Sequence, residues 1–184
     1  MRADAARNIE RILDAALEAL AEDPAASMAA VARRAGVVRA TLYVHFPTRE
    51  ALVDAVTERA MGEAAGAVRA AAPESGDAAE ALARVLRAAW STVGRYHALV
   101  EISTRLGRAS DHAMHEPVLS QVGPLLERGR REGAFDRGLP VAWMLTVVLE
   151  LMHAASRAVA AGQLEPGEAE RVLVASVLGA LAAR

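Results

Sequence analysis

The sequence contains no cysteine, and this absence excludes several kinds of chemistry. Without thiols the chain cannot form disulfides, hold a metal with thiolates or use a cysteine nucleophile. No apolar stretch approaches the ~18 residues that a membrane-spanning helix needs. The start, Met1-Arg2-Ala3-Asp4, lacks the apolar core of a secretory signal. We therefore predict a soluble cytoplasmic protein with no membrane partner.

The sequence also lacks the alternation of apolar and polar residues that half-buried β-strands show. Alanine, which favours helices, is frequent throughout. Apolar residues from Ile9 to Leu20 recur at spacings of three and four, which predicts an amphipathic first helix ended by Asp23-Pro24. The predicted fold class is all-α with about nine helices, in an N-terminal helix-turn-helix part and a C-terminal helical bundle.

Two short helices joined by a glycine turn are predicted after the first helix. Gly36 can adopt the left-handed conformation that turns one helix sharply into the next. The predicted order is a helix capped by Ser27 and ending near Ala35, the turn, a helix from Val38 to His45, a break at Pro47, and a fourth helix capped by Thr48 and starting near Arg49.

Charge is unevenly distributed along the chain, although the net charge is only −2. No acidic residue lies between Asp23 and Glu50, whereas Arg33, Arg34 and Arg39 and one further arginine fall there. The rest of the chain holds 17 arginines against all 23 acids. A small basic face on an acidic body suits a local phosphate contact, while the acidic body discourages non-specific binding.

Helix, glycine turn and helix is the arrangement that places a second helix in the major groove of DNA. Arg39, near the start of that helix, is placed to bind either guanine O6 and N7 or a phosphate. Ser27 and Thr48 lie at helix N-termini, where backbone amides favour an anion. The alternative is a compact helical hairpin within a larger core. The predicted DNA-contacting residues from this segment are Ser27, Arg39, Ala40, Thr41, Tyr43, His45 and Thr48.

The same segment resembles the signature of the tetracycline-repressor (TetR) family of transcriptional regulators, over roughly residues 8 to 56. The residues that carry the resemblance are Val31 to Val37 (VARRAGV), Thr41 to Phe46 (TLYVHF) and Arg49 to Leu52 (REAL). It implies an all-helical homodimer that binds a palindromic operator in double-stranded DNA and is released by a small-molecule effector.

Carried onto this chain, the resemblance makes Tyr43 and His45 phosphate contacts and turns Arg39 and Ala40 towards the bases. Arg49 takes the basic position at the start of the fourth helix. Val38 departs from the family, whose members often have a small hydroxyl residue there, so a weaker cap of the recognition helix is expected.

The resemblance also implies a division of the chain into functional parts. Residues 1–48 are predicted to bind DNA, residues 49–71 to form a connecting helix, and residues 72–184 to bind the effector and dimerise. A nucleoid-associated location in the cytoplasm follows from DNA binding. Two alternatives stay open, namely a ligand-independent regulator that acts through a protein partner and a helical small-molecule-binding protein without DNA affinity.

The last two helices are predicted to form the dimer seam. Small residues interleave with apolar ones from Val172 to Ala183, and such an arrangement allows close approach of helices. An ordinary buried terminal helix is the alternative.

A polar and aromatic stripe in the helix after Pro140 is the candidate ligand site. Trp143, Glu150 and His153 share one side of that helix and either line a pocket or belong to a solvated, charge-paired face. Further candidates for ligand contact are Trp90, Tyr96 and Met114.

The segment from Asp111 to Glu116 contains two histidines and two carboxylates, which is the composition of a metal site. It lies among loop signals and lacks a second ligand cluster, so we predict a solvated segment, no metal and no cofactor. No glycine loop that cradles phosphate and no nucleophile placed beside a base is present, so we predict that the protein is not an enzyme.

Overall fold

The computed structural model describes residues 2–93, 96, 102 and 112–183. The described residues form helices and connecting segments without strands, and their one β contact is an isolated bridge between Phe135 and Ala182. The predicted all-α class is confirmed, and the predicted count of about nine is close to the eight helices described. The helices are α1 (Arg2–Glu22), α2 (Met28–Arg34), α3 (Arg39–His45), α4 (Arg49–Ala70), α5 (Ala78–Val93), α6 (His112–Glu132), α7 (Val141–Ala160) and α8 (Pro166–Leu181).

The chain divides into two compact units, Met1–Ala60 and Met61–Arg184, with the boundary inside α4. The predicted functional boundaries at residues 48 and 71 stay a prediction, because compactness alone does not assign function. Among the described helices, none is long and apolar enough to cross a membrane.

The first unit is built on the apolar stripe of α1. Ile12 and Ala16 are fully buried, and Val31 of α2 and Leu42 of α3 are buried as well. The spacing of three and four residues in α1 places its apolar side chains on one face, and the apolar side chains of α2 and α3 are buried together with that face. The two short helices are thus held mainly by tertiary packing, because isolated helices of their length are marginal in water.

The turn between α2 and α3 depends on Gly36, whose φ of 64° lies in the left-handed region. Arg11 of α1 donates a hydrogen bond of 2.6 Å to the carbonyl of Ala35 and one of 3.5 Å to that of Gly36. A Cβ added at Gly36 would lie 3.0 Å from the Arg11 guanidinium. Glycine therefore satisfies both the backbone conformation and the space that the arginine leaves.

The second unit contains the remainder of α4 and α5 to α8 around one apolar core. Phe135, between α6 and α7, is among its largest fully buried side chains. A Cβ added at Gly129 of α6 would lie only 2.2 Å from the Phe135 ring, so the absence of a side chain at this position makes room for the phenyl group. The backbone of Asp136 then donates to the carbonyl of Leu181 at the end of α8.

Two arginines fix the connection between α4 and α5 through backbone carbonyls. Arg84 donates to the carbonyls of Ala71, Ala72 and Ser75. Arg128 donates to the carbonyls of Pro73 and Gly76 at 2.9 and 2.6 Å. These bonds satisfy acceptors that the end of α4 and the loop leave without helical partners.

The start of α6 corrects one expectation. The sequence places residues 111–116 among loop signals, whereas the structure is helical from His112 onwards and continues through Pro117 and Pro124. The residues that follow, including Leu119, Val122 and Leu126, are buried in the core. Burial of this apolar face outweighs the local preference against helix that the prolines introduce.

Candidate nucleic-acid interface and ligand cavity

Side-chain caps lie at the start of the helix-turn-helix and at the start of the helix that follows it. Ser27 Oγ accepts a hydrogen bond of 3.2 Å from the backbone of Ala30 at the start of α2. Thr48 Oγ1 accepts one of 3.1 Å from the backbone of Ala51 at the start of α4. Both predicted caps are therefore present, and both hydroxyl residues are exposed. Exposed helix N-termini of this kind attract anions through their free amides and the helix dipole.

Helix α3 has one buried and one exposed side. Leu42 is fully buried, and Phe46, which follows the helix, is nearly so. Arg39 and Tyr43 lie one turn apart and are exposed, as are Ala40 and Val44 beside them, so these four side chains form one solvent-facing surface. Thr41 and His45 lie half-buried along its flank. The predicted contact residues of α3 are thus exposed or half-buried.

Val38 occupies the N-cap position of α3 with φ −72° and ψ 149°, the extended conformation that capping residues adopt. Its side chain is 69% exposed and carries no hydrogen-bond acceptor. As expected from the sequence, the cap of α3 is weak, because the Val38 side chain offers no acceptor to the backbone amides of the first turn.

Arg49 binds the loop that precedes α2. Its guanidinium donates hydrogen bonds to the carbonyls of Pro24 and Ala26 and is half-buried. These contacts hold the α1–α2 loop against the start of α4. Arg49 stays a predicted DNA contact, with part of its donor capacity already used within the unit.

The other arginines of the acid-free segment differ in their surroundings. Arg34 donates to Glu22 at 2.6 Å, and this hydrogen bond raises the pKa of the guanidinium. Arg33 and Arg39 are exposed. A substantial part of the exposed positive charge of the helix-turn-helix therefore lies on these two side chains.

The second unit contains an apolar cavity of about 100 Å³. Helices α4, α5, α6 and α7 each contribute side chains to its wall, and nearly all of them are aliphatic. The two polar exceptions are His115 of α6 and His153 of α7. The described lining residues are Met61, Ala64, Val85, Leu86, Ala89, His115, Val118, Leu119, Val122, Val148, Leu149, Met152 and His153.

The two histidine rings meet edge to face, with their centroids 5.2 Å apart. His153 is buried, and its Nδ1 has no hydrogen-bond partner among the residues that the structure describes. The pKa of His153 is lowered to about 4, mainly by burial and also by His115 and Arg157, while Glu150 opposes the change. The imidazole of His153 is therefore neutral at pH 7.

The predicted ligand residues fall in different places. Of these, His153 lines the cavity, and Glu150 lies half-buried one turn earlier on α7. Trp143 is 55% exposed and lies outside the described cavity lining. Trp90 is buried and donates its indole N–H to the carbonyl of Pro166 at 3.2 Å. Tyr96 is buried and Met114 half-buried, and neither belongs to the described lining.

Sequence reasoning missed His115 as a cavity residue. It assigned His115 to a solvated segment, although Val118, Leu119 and Val122 follow at helical spacing and mark the same face as apolar. That spacing was the available signal. In the described residues, no group of three or more histidine and carboxylate side chains is placed to hold a metal ion.

Comparison with known proteins relates the helix-turn-helix segment to one family. Residues 12–56 match the family model described as "Bacterial regulatory proteins, tetR family". Over 80 residues the chain is 36% identical to the HTH-type transcriptional repressor LfrR of Mycolicibacterium smegmatis. The matched segment covers 44% of this chain and 42% of that repressor. The match thus spans about two fifths of the relative's length.

Solved structures share the fold over nearly the whole chain. The structure of LfrR from Mycobacterium smegmatis in complex with proflavine has a TM-score of 0.74 at 24% identity, covering 97% of this chain and 98% of that one. The fatty acid degradation regulator FadR from Bacillus halodurans has a TM-score of 0.76 at 20% identity, covering 94% and 98%. At these identities the likeness shows the fold.

Proposed function

We propose that this chain, whose residues 12–56 match the tetR family model, is a regulator of that family: a homodimeric repressor that leaves its palindromic operator when a small molecule binds. In this proposal residues 1–48 bind DNA, residues 49–71 form the connecting helix, and residues 72–184 bind the ligand and dimerise. The similarity to the repressor LfrR supports the direction of regulation.

The exposed face of α3 is the observation that carries the proposal. Arg39 and Tyr43 face solvent one turn apart, while Leu42 on the opposite side anchors the helix in the core. A helix held in this way presents a fixed set of donors to the major groove. Arg39 and Ala40 face the bases, and Tyr43 binds a phosphate.

The residues around this face position the protein on the backbone of the duplex. Ser27 and Thr48 bring two exposed helix N-termini to the phosphates, and Thr41 and His45 add donors along the flank of α3. Arg49 contributes positive charge next to Thr48. Contacts of this kind fix the register of the protein without selecting a sequence.

The ligand part of the proposal rests on the cavity in the second unit. It encloses apolar space, as small-molecule sites do, and Met61 and Ala64 of α4 belong to its wall. A structure of the similar regulator LfrR holds proflavine, which supports the idea that this fold accepts a small molecule. A ligand in the cavity would contact the same helix that begins with Arg49.

Selection from a random duplex library, followed by binding measurements at several salt concentrations, tests DNA recognition. We expect Arg39→Ala to change the preferred sequence and to weaken the best site by about 1–3 kcal/mol. Tyr43→Phe should weaken all sites similarly, by about 0.5–1.5 kcal/mol, because it removes one neutral hydrogen bond. A preference shift after Tyr43→Phe would contradict its assignment to a phosphate.

Arg87→Ala is the matched control, since Arg87 is an exposed arginine of α5 in the other unit. It should leave affinity and preference unchanged. If Arg39→Ala lowers affinity uniformly and also reduces the salt dependence, Arg39 contacts a phosphate instead of a base. Absence of any sequence-specific binding by the wild-type protein at moderate salt contradicts the proposed function.

A further inference from the structure

The cavity of the second unit is small for a ligand site. Its volume of about 100 Å³ is of the order of the engineered ~150 Å³ cavity that binds benzene. A single six-membered ring is therefore the size class that enters without rearrangement of the wall. Thirteen described residues line the space, and all except two are apolar.

His153, one of the two histidines of this wall, has a ring nitrogen without a hydrogen-bond partner in the described part of the chain. His153 is 5% exposed, and its Nδ1 lacks a hydrogen-bond partner among the described residues. A buried polar group without a partner is unfavourable, so a ligand that supplies one hydrogen bond gains affinity at this point. A neutral imidazole nitrogen is either a donor or an acceptor, depending on the tautomer, and a hydroxyl satisfies both cases.

The charge of the site favours an uncharged ligand. No carboxylate or arginine belongs to the described lining, and the lowered pKa of His153, about 4, keeps its ring neutral at pH 7. A charged ligand would lose its hydration in this space without gaining an opposite charge. By contrast, a wider surface groove of about 830 Å³ includes Arg69, Arg128 and Arg131 and suits polar molecules.

We propose that the cavity between α4, α5, α6 and α7 selects an uncharged molecule of about one ring that carries one hydroxyl, held by apolar contacts and a hydrogen bond to His153. The proposal rests on the proposed function only in taking this cavity as the effector site. His153 determines specificity, because the aliphatic wall accepts any apolar ring of this size.

Calorimetric titration of the full-length protein with phenol, toluene and benzoate at pH 7 tests this selection without DNA. Phenol should bind about 10-fold more tightly than toluene, because one hydrogen bond to a buried partner raises affinity by about this factor. Benzoate, of similar size but charged, should not bind measurably. Failure of phenol to bind, or equal affinity for phenol and toluene, overturns the proposal.

Two variants locate the hydrogen bond. His153→Leu replaces a buried imidazole with an apolar side chain and should retain toluene binding while phenol loses its advantage. His115→Leu is the matched control on the other side of the ring contact and should keep the preference for phenol. If the control removes the preference and His153→Leu does not, the assignment to His153 is wrong.

A parallel titration with operator DNA separates this inference from the proposed function. Phenol that binds but leaves the protein on DNA supports the ligand selectivity of the cavity and contradicts its assignment as the effector site. DNA binding that persists in a protein with no affinity for any of the three probes contradicts the cavity assignment and leaves repression standing.

Discussion

His153 shows how burial sets the protonation of a single residue. It is 5% exposed and meets the ring of His115 on α6, while Glu150 and Arg157 lie one turn away on its own helix. Burial is the largest influence and lowers the pKa to about 4; among the charged neighbours only Glu150 opposes the change. This ring therefore takes up a proton only at a lower pH than an exposed imidazole does.

This shift predicts a specific loss of stability in acid. Unfolded His153 takes up a proton near pH 6.5, whereas the folded residue does so only near pH 4. The unfolded state therefore binds more protons between these values, and the free energy of unfolding falls as the pH is lowered through this range. The full shift corresponds to about 3 kcal/mol.

Denaturant unfolding at pH 7 and pH 4.5 measures the effect. The wild-type protein should lose about 2–3 kcal/mol more than His153→Leu over this interval, since both share the titration of all carboxylates. Equal losses in the two proteins would show that His153 does not titrate differently in the folded state.

Local residue preferences predicted some contacts and not others. Ser27 and Thr48 were identifiable as caps because capping involves residues three positions apart in sequence. By contrast, Arg11 binds the backbone carbonyl of Ala35, which is 24 residues away in the sequence, and Arg49 binds that of Pro24, which is 25 residues away. Contacts at such separations depend on how the helices pack, which residue preferences do not specify.

At the scale of the helix, α3 is the element whose local stabilisation is incomplete. Its N-cap residue has the backbone conformation of a cap without an acceptor, and Val38 is largely exposed. We expect Val38→Ser to raise the free energy of unfolding by about 0.5–1 kcal/mol, because it adds the missing acceptor and removes no buried contact. Ser27→Ala, which removes the cap of α2, should lower it by about 1 kcal/mol.

Val38→Ala is the control that separates capping from removal of an exposed valine. Thermal or denaturant unfolding of the full chain should show a gain for serine and none for alanine. Equal gains for the two substitutions would mean that the hydroxyl does not cap α3.

Several helix boundaries lie where the sequence marks them with glycine, proline or a capping residue. The limits of α7 agree with the break before Val141 and with Gly162 after its end. The start of α6 did not follow, because burial of the apolar face of the helix overrides the loop signals near residues 111–116. Which side of α6 is buried, and therefore that His115 reaches the cavity, is determined by packing against the neighbouring helices.

At the scale of the whole molecule, α8 presents two different faces. Leu173, Val177 and Leu181 are buried within the chain, as the alternative of an ordinary terminal helix expected. Ala175, Ser176, Gly179 and Ala180 are exposed and small, and Val172 beside them is 43% exposed. The proposed dimer would use this second face, where small side chains permit close approach of two helices.

Gly179→Arg tests the dimer without disturbing the fold. A Cβ at this position would meet nothing within 4 Å among the described residues, so the subunit should fold. The bulky charge should shift the protein from dimer to monomer in sedimentation velocity. Gly66→Arg places the same change on an exposed face of α4 that is equally open and should leave the dimer intact. A wild-type protein that sediments as a monomer contradicts the assignment.

The loop between α4 and α5 has a consequence for how this protein tolerates change. Arg84 and Arg128 hold the loop through main-chain oxygens, which every amino acid supplies. Replacement of side chains such as Glu74 or Ser75 leaves these acceptors in place, so the loop can drift in sequence while its path is kept. The path of this loop is therefore determined by Arg84 of α5 and Arg128 of α6, and not by the side chains of the loop itself.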